Sequence, residues 1–163
     1  MLLANQAHLR MHLTILPTLL TLLAPATATH HNHQHQQPLT MSKSLNVFKQ
    51  PLALHSTSPM TGYLRNGYCE VPTSDFGNHA VAAEVTDEFL EFSARQGNDL
   101  RPIPGMKGGC KWCLCATRWL EAFEARGKEG DKVVPKVFLG ATNEKALQKI
   151  KMEDLKAFAV DKE

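Results

Sequence analysis

With 163 residues, 43% of them hydrophobic and 21% charged, the chain has an ordinary globular make-up and the length of a single domain. Its formal net charge of +2 falls mostly outside the stretch that reads as folded: without Arg10, Lys43, Lys162, Asp161 and Glu163, 15 basic residues stand against 14 acidic ones. That balance, with the two signs interleaved, argues against nucleic acid as a partner, and no stretch between residues 46 and 159 is apolar for long enough to be a transmembrane segment.

Two beginnings are open. Leu13 to Ala24 is a leucine-rich run preceded by Arg10 and followed by Ala26-Thr27-Ala28, the shape of a secretory signal peptide within residues 1–28. Pro17 interrupts that run, and only one firm positive charge precedes it. The absence of acidic residues before Glu70 suits a mitochondrial leader, but the shortage of arginine does not. The favoured reading starts the protein at Met41-Ser42-Lys43-Ser44-Leu45 and makes residues 1–40 an upstream extension. The first beginning implies a secreted protein and the second a cytoplasmic one. The tract His30-His31-Asn32-His33-Gln34-His35-Gln36-Gln37 can hold a metal ion only weakly, since no acidic or cysteine ligand stands beside it. So polar a run cannot bury a core and is expected to be a disordered linker. The expected organisation is a leader or extension over 1–40 and one soluble α+β domain over 41–163, with its core at 46–159.

Asn46 to Thr61 carries Pro51 and Pro59 without periodicity and reads as an irregular entry segment. Asn66-Gly67, within Tyr63 to Cys69, predicts a tight hairpin between two short strands. Pro72 to Asn78 is turn-rich, and His79 to Val85 predicts a third strand. Thr86 is positioned to cap a following helix, with Asp87 and Glu88 at its positive end and Gly97-Asn98 as its stop. Two prolines and three glycines between Asp99 and Gly109 predict a loop. A helix is expected from about Trp112 to Arg126, stopped by Gly127. Val133 to Leu139 reads as a strand with Pro135 at an edge or bulge. Thr142 is expected to cap a short helix through Ile150, and Glu153-Asp154 to open a last one over Leu155 to Val160. Early strands, later helices and no repeated βαβ unit predict α+β: a small antiparallel or mixed sheet with about four helices.

The densest chemistry lies in Cys110-Lys111-Trp112-Cys113-Leu114-Cys115. On a helix beginning near Trp112, at about 100° per residue, Cys115 joins an apolar stripe with Trp119 and Phe123, whereas Cys113 falls about 160° away. Cys115 then reads as core packing. Cys113, in the first turn, feels the positive end of the helix dipole, which favours its thiolate. His79, one of two histidines in the domain beside His55, is the candidate base for it. Cys110 and Cys113 have the spacing of redox dithiols and zinc sites, but a second such pair is absent. A metal would need Cys69 or His79 in addition.

Several runs resemble the uncharacterised family catalogued as domain of unknown function 2237. They are Pro59-Met60-Thr61-Gly62-Tyr63, Asp75-Phe76-Gly77-Asn78-His79, Thr86-Asp87-Glu88-Phe89-Leu90, Gly97-Asn98-Asp99-Leu100 and, most specifically, Trp112-Cys113-Leu114-Cys115-Ala116-Thr117-Arg118-Trp119. The resemblance covers Asn46 to Ala159 and supports a start at Met41. It implies no assigned activity and so carries no catalytic residues over. His55 and Ala82 stand where relatives often have cysteine, Cys110 where they usually have an acid and Asn143 where they often have histidine. A metal site built on all those positions would be broken here.

Three functions remain open. One is a thiol-based site with Cys113 and His79 as catalytic residues and Asp75 and Arg118 around them; a function shared with the resembled family would rest on the cysteines and His79 or on a polar set that also includes Thr61. Another is a non-catalytic ligand- or protein-binding module using Arg65, Asp75, Asn98, Asp99 and Arg118. The third is a structural metal held by Cys69, Cys113 and His79, with Cys110 as a further candidate. Turn and cap chemistry is the plain alternative for Asp75, Asn98 and Asp99, which sit beside glycine or at helix ends. The residues name neither a cofactor nor a partner, and they do not decide whether the protein is an enzyme.

Overall fold

The computed structural model describes residues 44–161. The leucine-rich run, the Ala26-Thr27-Ala28 signal, the histidine tract and the start at Met41 lie outside them. Within this range the fold is α+β, as expected, although strands and helices alternate along the chain rather than strands coming first. Its centre is β1 (Val81–Glu84), flanked by β2 (Lys111–Leu114) and β3 (Lys136–Val137) in an antiparallel sheet of order β2-β1-β3. Both neighbours crowd β1, which explains its alanines: Ala82 and Ala83 are fully buried, and larger side chains there would have to displace the covering layers.

The register sorts side chains onto two faces, because residues directly opposite each other in a sheet point the same way. Val81 lies opposite Leu114, and Ala83 opposite both Trp112 and Val137; all five belong to the main core. Ala82 lies opposite Cys113 and faces the other way, into a small cluster with Cys69 and Ala141. Cys113 is bonded there to Cys69, across a sequence separation of 44 residues and with the Cα atoms 5.3 Å apart.

Helices α1 (Asp87–Arg95) and α2 (Ala116–Glu129) pack on the main core. Thr86 caps α1 as its sequence predicted, its hydroxyl accepting from the Phe89 amide at 2.9 Å, and Gly97 follows the helix with φ +82°. Trp119 of α2 is fully buried; its indole donates to the Pro135 carbonyl at 3.0 Å and its ring stacks on Phe123 at 5.4 Å. Helix α3 (Met152–Ala157) leads into a segment that bonds Val137 on both sides. The free edge of β3 is thereby covered, which removes a pairing template for other chains.

Several expected elements differ. The Asn66-Gly67 hairpin does not form. Gly67 has the expected positive φ, but its amide bonds the Thr61 carbonyl and its carbonyl accepts from His55 and Ser56, so its partners lie upstream. The helix expected from Trp112 begins only at Ala116 and continues past Gly127 to Glu129, stopping at Gly130 with φ +87°. Residues 111–114 alternate instead, Trp112 and Leu114 toward the core and Cys113 away from it, which suits a strand of period two. Only Lys136 and Val137 of the expected Val133–Leu139 strand pair with the sheet, just after Pro135 and at its edge. Thr142 is not a cap: it donates to Phe138 and accepts from the Ala82 amide, while Asn143 caps the short 3-10 turn over Glu144–Gln148. The described residues hold three α-helices and three 3-10 turns where about four helices were expected. None of these helices is long and apolar enough to cross a membrane.

The Cys69–Cys113 bond closes a long loop, so it restricts the unfolded chain by about 4 kcal/mol in the loop-entropy view. Denaturant melts of the Cys69→Ala/Cys113→Ala protein should fall short of the parent by about that amount, or at least ~2 kcal/mol after relaxation. The difference should vanish when both proteins are melted under reducing conditions.

Candidate functional site

The site is built by a turn, a strand and the start of a helix. Asp75 closes the turn after Pro72, its amide bonding the Pro72 carbonyl at 3.0 Å. Its carboxylate is buried and reaches forward to residue 79: one oxygen accepts from the His79 amide at 2.9 Å, the other from Nδ1 at 2.7 Å. The ring is therefore held at two points by one side chain. Gly77 lets the turn pass over it, because a Cβ there would lie 2.6 Å from the ring's Cε1.

Asn78 joins this turn to α2. It has φ +50°, a conformation that asparagine tolerates better than most residues, and its carbonyl accepts from Ala80 at 2.7 Å and from Ala116 at 2.9 Å. Ala116 opens α2, so this bond places His79 beside the preceding residue, Cys115. Cys115 is the N-cap, half-buried and free, and its side chain makes no capping bond to its own helix. Its sulfur is instead one of the groups that raise the pKa of His79. Because Nδ1 donates to Asp75, Nε2 is the ring nitrogen left for that sulfur.

The electrostatics follow from this contact. The bond to Cys115 is the largest influence on His79, opposed by burial and helped by the charges of Cys115 and Asp75; together they push its pKa up to about 9. The protonated ring is thus favoured more than in an unperturbed histidine. His55 behaves oppositely. Burial outweighs its bond to the Ala83 carbonyl at 3.1 Å and pushes it down to about 4, so it is neutral.

The residues singled out in the sequence separate into groups. His79 and Asp75 are together, and Cys113 lines the same cleft as His79. Cys113 lies in β2 rather than in a first helical turn, and it is buried in the bond to Cys69, so neither cysteine offers a thiolate. The metal set of Cys69, Cys110, Cys113 and His79 is therefore not assembled. Cys110 sits in the glycine-rich loop, donating to the Gly105 carbonyl at 3.3 Å, and no cluster of three or more metal-ligating side chains occurs among the described residues. Thr61 is fully buried and accepts from the Cys113 amide at 2.8 Å, a supporting role.

Of the proposed binding residues, Asn98 is tied to Ser93 behind α1, and exposed Asp99 chelates Arg101 through two bonds of 2.7 Å, which hold its carboxyl down at about 2. Arg118 bonds Glu121 and the Gln96 carbonyl, linking the two helices. Arg65 is different. It lines a cleft of about 360 Å³ together with His79, Tyr63, Leu100, Ile103 and Trp112. Cys115 is the residue that helix geometry misassigned to the core. The alternation through Lys111–Leu114, read at period two, was the available signal that it stands at a strand-to-helix junction.

Residues 45–159 match a family described as an uncharacterised protein conserved in bacteria, DUF2237. The chain belongs to this family. The DUF2237 match spans the sheet, all three helices and the site, and it nearly coincides with the core expected at 46–159. No curated protein matches the chain.

Two titrations check the site. In NMR, the His79 ring should protonate with a midpoint near 9 and drop markedly in Cys115→Ser, with a smaller drop in Asp75→Asn. His55 bears on stability. Its folded pKa lies below the unfolded 6.5, so the unfolded chain takes up the proton first as pH falls. The stabilisation is complete above pH 6.5 and should be lost between 6.5 and about 4, by up to roughly 3 kcal/mol, with a shallower loss in His55→Gln.

Proposed function

We propose that this protein works through a reactive thiol, with Cys115 as the nucleophile, His79 as its acid–base partner and Asp75 as the group that orients His79. What supports the reading is a buried carboxylate holding the imidazole, together with a free sulfur, at the start of a 14-residue helix, that raises the pKa of that imidazole. Each part has a physical purpose. Asp75 holds the ring in one orientation and supports its positive charge. The sulfur stands at the N-terminus of a helix with no acidic residue in its first turn, so the attacking group meets the positive end of the helix dipole.

The chemistry this arrangement suits is acyl transfer. The sulfur bonds to the acyl carbon, the bond from that carbon to its leaving group breaks, and the His79 proton passes to the departing atom. Water then attacks the thioester, giving a proton to His79 and releasing the acid and the thiolate. Compared with the expectation from sequence, the base is retained and the nucleophile moves from Cys113 to Cys115. The Cys69–Cys113 bond also favours an oxidising compartment, in keeping with a secretory reading of residues 1–28.

Cys110 is the other free thiol and serves as an internal reference. At pH 7, peptide-resolved alkylation with iodoacetamide should modify Cys115 faster than Cys110 by on the order of tenfold. His79→Ala should remove the difference, with Asp75→Asn in between. Equal rates at the two cysteines in the parent protein would sink the proposal.

A further inference from the structure

Arg65 is unlike the other charged residues of the site in having no carboxylate to answer it. Its guanidinium lies 4.8 Å from the centre of the Trp112 ring and donates to the Met60 carbonyl at 3.3 Å, and none of the ion pairs among the described residues includes it. The other cationic group in the cleft, His79, is already offset by Asp75 behind it. Arg101 adjoins Leu100 but is bound to Asp99. The uncompensated charge of the cleft therefore rests on Arg65.

The backbone at Arg65 carries a cost of its own. Its φ is +51°, a region that L residues other than glycine, asparagine and aspartate seldom enter. Such strain persists where the surrounding structure enforces it, and it gathers at ligand-binding sites. Here it accompanies a guanidinium placed over the Trp112 ring. The same cleft is lined by partly buried Leu100 and Ile103, and the exposed Tyr63 ring lies 6.1 Å from that of His79.

We infer that this cleft binds a small carboxylate with an apolar body, its carboxylate on Arg65 and its body against Leu100, Ile103 and Trp112. The planar guanidinium matches a planar carboxylate by paired hydrogen bonds. A volume of about 360 Å³ admits a small molecule, since it lies at the lower end of the usual range for ligand pockets. The inference does not rest on Cys115 acting as a nucleophile. His79 is the residue common to both sites, and a carboxylate bound here would have one end within reach of the imidazolium.

Calorimetry with the whole protein tests this, using hydrocinnamate, the neutral hydrocinnamamide and phenyl phosphate as probes. Hydrocinnamate should bind tighter than the amide by on the order of tenfold, and Arg65→Asn should abolish that preference. Asparagine tolerates the left-handed backbone, so the variant keeps the fold, which its amide NMR spectrum verifies. Equal affinity for acid and amide, a preference that survives Arg65→Asn, or no binding of hydrocinnamate at millimolar concentration would overturn the inference. Tighter binding of phenyl phosphate than of the carboxylate would overturn it too, by assigning the cleft to phosphoryl groups. Hydrocinnamate should still bind Cys115→Ser, which separates the two proposals. Unselective alkylation of Cys115 removes the thiol reading alone, and lost charge discrimination removes only this one.

Discussion

Antiparallel pairing of Val81–Glu84 with Lys111–Leu114 is the constraint on which the rest of the domain depends. It places Cys113 opposite Ala82, on the face away from the main core, where Cys69 meets it. The same pairing sends Trp112 and Leu114 into the core and ends the strand one residue before Cys115. Helix α2 then starts against the Asn78 carbonyl. A slip of one residue would reverse every one of these orientations, because side chains alternate along a strand. Fully buried Val81, Ala82 and Ala83 make such a slip costly.

From that frame the two halves of the site acquire distinct roles. The Cys69–Cys113 bond staples the loop before β1 to β2, beneath Thr61, whose hydroxyl accepts from the Cys113 amide. The turn over Asp75–His79 hangs on the start of α2 through a single backbone bond. Buried Asp75 thus holds a partly exposed imidazole at two points.

How much of this was legible beforehand depended on the range of the interactions. The α1 cap was readable from Thr86, Asp87 and Glu88 because capping is settled within one turn of chain. The centre of the sheet was readable from Val81 to Val85, and the pairing of Asp75 with His79 lay in residues already singled out. Lys111 to Leu114 was not readable as a strand. Four residues that alternate can also lie on a helix face, and the long helical pattern beginning at Ala116 drew them in. The Asn66-Gly67 turn misled for a related reason: glycine at positive φ marks a turn without saying which strands, if any, it joins.

The sequence by itself determined the composition of the domain, its α+β class, its family and the handful of side chains able to do chemistry. These follow from local propensity, hydrophobic pattern and motif, which are properties of neighbouring residues. Tertiary structure alone decided which cysteine is free. Cys113 and Cys115 differ in sequence only by their flanks, yet a partner 44 residues away takes one of them. It also decided that Arg65 and His79 share a cleft while Asn98, Asp99 and Arg118 serve turns and helix contacts. The reason is physical: disulfide pairing and cleft geometry depend on distances that the folded core sets and that no local pattern encodes.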